Sequence, residues 1–157
     1  MTIVVVAMLA VLLATVAFLK SKQSHDLSLA LKNSRNVIPW EIRNRDGVVI
    51  GAGVPFIGKA LYFADSPSYI MPYEDAMQKA MDAGRSLPTR KELMICYYFQ
   101  EQINAIAEAA GHPYFLLGNT WSKDAWKDSA IALDFNSGHV FAQSKYAYAA
   151  ALPIADL

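Results

Sequence analysis

The chain has 157 residues with 14 basic and 14 acidic side chains, 54% hydrophobic and 18% charged, a balance that excludes a disordered tail and a generic nucleic-acid binder. The zero net charge conceals a segregation: residues 1–19 carry no charged side chain, residues 20–45 hold six bases and two acids, and the remainder holds eight bases and twelve acids. A single cysteine, Cys96, excludes an intrachain disulfide scaffold, a CxxC redox pair and a cysteine-rich zinc site.

From Ile3 to Leu19 the apolar run IVVVAMLAVLLATVAFL is interrupted only by Thr15. As a helix, residues 1–19 reach roughly 28 Å, enough to span a bilayer core. Helix is expected in spite of the valines, because a single segment in hydrocarbon must satisfy its own amides. The competing reading is a cleaved signal peptide with Thr15-Val16-Ala17 as processing site, but a basic n-region is missing and the run is long for an h-region. Lys20, Lys22, Lys32 and Arg35 follow the run and none precedes it, which by charge alone places the next domain in the cytoplasm.

Residues 20–38 continue the helical pattern, with Leu27, Ala30 and Leu31 on one narrow apolar stripe. The stripe suits a solvated stalk or a packing face for other protein subunits. Pro39 stops the helix, and Trp40 sits at an interface or begins the globular domain. The expected organisation is a transmembrane helix at 1–19, a helical stalk or linker at 20–45, and a head at 46–157. An uncharged helix, an amphipathic extension and a distal head together are similar to type IV pilins and pseudopilins, although the glutamate usual near their mature start has no counterpart among Thr2, Ile3, Val4, Val5 and Val6.

In the head, GVVIGAG at 47–53 and GKALYFA at 58–64 predict two strands. A first helix follows Pro72, with Tyr73, Ala76, Met77, Ala80 and Met81 on one face and Gly84 as its stop. Thr89 and Glu92 have capping-box spacing for a second helix bearing Leu93, Cys96, Tyr97, Ile103 and Ala107. Strands return with Ile131, Leu133 and Phe135, a hairpin turn at Asn136-Ser137-Gly138, the run His139–Gln143, and a last run Tyr146–Ile154. The fold class is α+β: two helices and a twisted antiparallel sheet.

The head resembles the bacterial C-type-lectin-like domain found at the ends of collagen-like adhesins. Tyr73, Asp75 and Ala76 match its first helix; Gly84, Leu87, Pro88, Thr89, Glu92 and Leu93 match its G-W-R-L-P-T-x-x-E-L element. Thr120, Trp121 and Ser122 match Y-W-S-S, Phe135, Asn136 and Gly138 match F-x-x-G, and Leu152–Ile154 stand at the closing strand. The tryptophan before R-L-P-T is absent, and Ala149, Ala150 and Ala151 replace the closing arginines, which implies an apolar or buried surface there. The resemblance implies a noncatalytic head that recognises protein or glycan.

No catalytic constellation is present. His25, His112 and His139 are dispersed, Cys96 reads as a buried inert thiol, and no paired cysteines of formylglycine-generating type occur. Asp124, Asp128 and Asp134 invite a calcium reading, but Lys123 and Lys127 flank the acids and the sugar lectins' Glu-Pro-Asn and Trp-Asn-Asp elements are missing, so no metal and no cofactor is expected. The candidate contact residues are Asn119, Lys123, Asp124, Trp126, Asp128 and Tyr146, in a surface loop NTWSKDAWKD and the last run. Trp121 reads as core, and Tyr148 lies on Tyr146's face. Membrane, other subunits through residues 1–38, and a protein or glycan ligand at the head are the expected partners, with no nucleic acid. The expectation is a single-pass cell-envelope protein for adhesion, its head on the extracytoplasmic side in spite of the lysines, or alternatively a structural subunit of a pilus, secretion apparatus or other membrane complex.

Overall fold

The computed structural model describes residues 37–65, 70–113 and 115–157. The expected membrane helix, most of the stalk and the stripe Leu27, Ala30 and Leu31 lie outside the described residues; among those described, no helix is long and apolar enough to cross a membrane. The head is the unit Ile38–Leu157.

Among the described residues, two sheets and three α-helices make a mixed α+β fold. Strands β1 (Trp40–Arg43), β2 (Val49–Val54), β3 (Lys59–Tyr62) and β9 (Ile154–Asp156) form the first sheet, all neighbours antiparallel. The second sheet runs β4 (Ile70–Met71), β8 (Ala149–Ala150), β5 (Asn119–Ala125), β6 (Ser129–Asp134) and β7 (Val140–Ser144). Its one parallel contact sets Ala150 beside Thr120.

Residues 40–43 therefore belong to the head and not to a helical linker. Trp40 lies opposite Gly53, where a Cβ would come within 2.2 Å of the indole, so the glycine is what lets the ring lie against β2. The last run divides between both sheets: β8 inserts between β4 and β5, and β9 returns to β3.

Helix α1 (Tyr73–Asp82) starts after Pro72, which occupies the capping position itself. It ends in a Schellman closure, with the Arg85 amide donating to the Ala80 carbonyl (2.9 Å), the Gly84 amide to Met81 (2.8 Å), and Gly84 at φ +66°. Its inner face is narrower than the spacing predicts. Tyr73, Ala76 and Ala80 are buried, but Met81 is 56% exposed, beyond the edge of the contact with the second sheet.

The single helix expected after Thr89 is two helices, α2 (Arg90–Tyr98) and α3 (Gln100–Ala109), broken at Phe99 with φ −101° and ψ 16°. The break lets the segment serve two sheets, since α2 packs on β5 and β6 whereas α3 packs on β2. Phe99 is buried between Phe56 and Tyr98, with ring centroids 6.1 and 4.9 Å away.

The second sheet is covered on both faces. On one side Tyr73, Ala76, Ala80, Leu87, Trp121, Ala130, Ala132, Ala149 and Ala151 form one cluster. Strand alternation sends Ile131 and Leu133, both buried, to the other side, where α2 lies. Ala149, Ala150 and Ala151 are thus buried, and Ala149 and Ala151 join the cluster that α1 packs against.

Candidate ligand-binding face

The segment 86–89 joins the fold together. Ser86 exchanges two backbone hydrogen bonds with Ile154 (3.2 and 2.8 Å), tying the exit of α1 to β9. Leu87 is fully buried, and the Pro88 carbonyl accepts from the Lys123 amide at 2.7 Å. Thr89 forms the expected capping box: its hydroxyl oxygen accepts from the Glu92 amide (3.2 Å), and Glu92 accepts from the Thr89 amide (2.7 Å).

The candidate stretch 119–125 is strand β5 and not a surface loop; only Trp126–Asp128 form a turn. The strand lies between β8 and β6, and Thr120, Trp121 and Ser122 are buried there in succession. Trp121 is fully buried, donates from Nε1 to the Met71 carbonyl (2.9 Å) and meets Tyr73 edge to face at 5.6 Å. Burial pushes the Tyr73 hydroxyl above its ordinary pKa, with the Glu74 and Asp124 charges adding, and that hydroxyl donates to the Lys123 carbonyl at 2.8 Å.

The six candidates separate. Asp124 accepts from the Arg90 amide (2.6 Å) and the Ser122 hydroxyl (3.1 Å), so its carboxylate closes the start of α2. Asn119 is exposed at the opposite end of β5, across from Asp134. Lys123 is exposed, with its backbone engaged on both sides as above. Trp126, Asp128 and Tyr146 share one end of the second sheet: the Trp126 amide donates to Ser129 (2.7 Å), and the Lys145 amide donates to the Asp128 carbonyl (3.0 Å). Trp126 is 61% exposed, Tyr146 82% and Tyr148 62%. Between the two tyrosines and α1, Lys145 Nζ pairs with Glu74 at 3.3 Å and lies 5.2 Å from the centre of the Tyr73 ring, which fixes the turn carrying Tyr146.

A second exposed aromatic group escaped the sequence reading. Phe56, between β2 and β3, adopts φ +69° and stacks on Phe99, while Tyr98 flanks the same ring; Phe56 and Tyr98 are each 49% exposed. A left-handed phenylalanine is strained and leaves no signature in composition; Pro55 before it and Gly58 after it mark a turn without marking Phe56.

The remaining chemically capable groups are held structurally. Cys96 is fully buried and its thiol is pushed up to about 12, first by burial and then by the Glu92 charge. Asp134 accepts from the Ser137 hydroxyl (2.7 Å) and the Asn136 amide (2.9 Å) inside its own turn, which holds it below the ordinary carboxylate range. His112 rests against Phe63 (5.6 Å) and His139 stacks on Phe141 (5.8 Å, 10° between planes). Among the described residues no three His, Cys, Asp or Glu side chains are placed to hold one metal ion. No family model matches the chain, and no curated protein matches it either.

Proposed function

We propose that the protein is a noncatalytic, membrane-anchored component of a cell envelope whose C-type-lectin-like head recognises a protein or glycan. Residues 1–19 supply the anchor, because nineteen uncharged residues are long enough for one bilayer crossing. The observation that carries the binding role is the exposed aromatic end of the second sheet, where Trp126 and Tyr146 project from two turns joined by the Asp128–Lys145 bond. Flat aromatic faces beside Lys127 and Asp128 suit the C–H faces and hydroxyls of a sugar, or the apolar centre and polar rim of a protein contact.

The test uses the full chain extracted in mild detergent and screened against glycans and envelope proteins. A ligand whose affinity falls at least about tenfold in Trp126→Ala and Tyr146→Ala, with the melting temperature kept, supports the reading. Unchanged affinity in both variants rejects this face as the binding site. A second reading, a structural subunit of a membrane assembly, is favoured by the stripe Leu27, Ala30 and Leu31. Recovery of the chain in a large particle of fixed composition with foreign subunits supports it over a tethered binding head.

A further inference from the structure

One end of the first sheet is apolar and exposed. The register brings the start of β1, the end of β2, the start of β3 and the end of β9 to that end, since Trp40 opposes Gly53, Val54 opposes Lys59 and Lys59 opposes Asp156. Phe56 stands there in the turn from β2 to β3, and Tyr98 flanks the Phe99 ring on which Phe56 stacks. Ile38 comes two residues before Trp40, beyond the last pair of the ladder. Ile38 is 65% exposed, Phe56 and Tyr98 49% each and Trp40 45%. Lys59 and Asp156, the charges at the ends of β3 and β9, pair with each other.

The opposite end of the same sheet is polar. Asn44, Arg45, Asp46 and Gly47 lie there between β1 and β2, all exposed, with Arg43 at the end of β1; Val48 is exposed there too. Scattered apolar side chains are ordinary on a surface, but a group of large ones at one sheet end marks a contact. The chain that runs into this end indicates what covers it. Residues 1–19 carry no charge, residues 20–36 carry four bases and one acid, and the head then begins at Ile38, on the apolar end. Fully extended, residues 20–36 reach at most roughly 60 Å. A tether attached here holds the apolar end at high effective concentration beside whatever surface takes up residues 1–19, so a contact too weak for a free head forms in a tethered one.

We propose that this end of the head, through Ile38, Trp40, Phe56 and Tyr98, rests on the surface of a lipid bilayer. The proposal rests on the reading of residues 1–19 as a membrane anchor. Tryptophan and tyrosine present an apolar ring with a polar tip and settle at headgroup level, which suits Trp40 and Tyr98; Ile38 and Phe56 have no polar atom in the side chain and suit the acyl boundary beneath. The bases Lys20, Lys22, Lys32 and Arg35 favour anionic headgroups close to where the chain enters the head. The Lys59–Asp156 pair adds no net charge to oppose the contact. A bilayer is the committed occupant because the tether delivers this end to it, and not the end that carries Arg43, Arg45 and Asp46.

The test places an environment-sensitive dye on single introduced cysteines of the full-length chain, reconstituted in phosphatidylcholine vesicles that contain phosphatidylglycerol and a nitroxide-labelled lipid. Cys96 is fully buried, which leaves the introduced thiol as the reactive one. Dye on Ile38→Cys and on Phe56→Cys is expected to be quenched at least about twofold more strongly than dye on Arg45→Cys and Val48→Cys at the polar end. Phe56 supports Phe99, so Ile38→Cys, ahead of β1, carries the measurement by itself if Phe56→Cys does not fold. Failure of the chain to float with the vesicles overturns the anchor reading and the lipid contact with it. Flotation with equal quenching at both ends overturns the lipid contact alone. So does dye at 38 and 56 that is shielded from aqueous iodide yet untouched by the nitroxide lipid, the mark of a second copy covering this end.

Discussion

At the scale of single residues, polar side chains that resemble ligand contacts turn out to secure the backbone. Asp124 is the clearest instance, since its carboxylate receives the Arg90 amide and the Ser122 hydroxyl. Asp124→Ala is therefore expected to cost about 1 kcal/mol, in the range of a lost helix cap, measured by urea denaturation. Asp124→Asn keeps an accepting oxygen and should recover much of this. An alanine variant as stable as the parent would contradict the capping role. Cys96 yields a second expectation. With its thiol fully buried and pushed up to about 12, it resists maleimide at pH 8 in the folded chain and reacts once the chain is unfolded, read by mass spectrometry. The sequence places Cys96 inward through its helical spacing, whereas the partners of Asp124 include one 34 residues away, which leaves no local trace.

At the scale of elements, the capping box at Thr89, the stop at Gly84 and the hairpin at Asn136–Gly138 were readable because each depends on residues within one turn of each other. The break at Phe99 was not, since Leu93, Cys96, Ile103 and Ala107 keep a nearly helical rhythm through it. Its cause is the presence of two sheets for one segment to cover, and Phe99 fills the space between Phe56 and Tyr98 where the two helices part. Phe99→Ala should accordingly cost about 3–5 kcal/mol, as buried aromatic truncations do, with a matching loss in the midpoint of chemical denaturation. A cost under about 1 kcal/mol would show that the junction tolerates a void. Likewise, NTWSKDAWKD reads as a loop by its polar content, yet placement between β8 and β6 makes most of it an interior strand, leaving Trp126 to the turn.

At the scale of the whole molecule, pH acts through turns that join the strands. Asp134 is held below the ordinary carboxylate range, by the Ser137 hydroxyl first and the Asn136 amide next. A depressed carboxylate stabilises the fold above its unfolded pKa, near 3.9, and that contribution disappears as pH falls through the lower folded value. Ser137→Ala should therefore lower the melting temperature most at pH 5–7, with the gap from the parent narrowing below about pH 4. A gap constant from pH 7 to pH 2 would show that the hydroxyl does not act through the carboxylate. The alternation of apolar runs, the helix caps and the turn glycines by themselves determined an α+β head with Trp121 in its core, since those signals reflect local backbone preference and periodic burial. Tertiary structure alone decided that Trp40–Arg43 joins the head, that the final run divides between two sheets, and that Trp126 and Tyr146 share one end while Asn119 faces the other. These outcomes depend on which distant strands pair, and pairing is set by contacts across tens of residues that no short window of sequence contains.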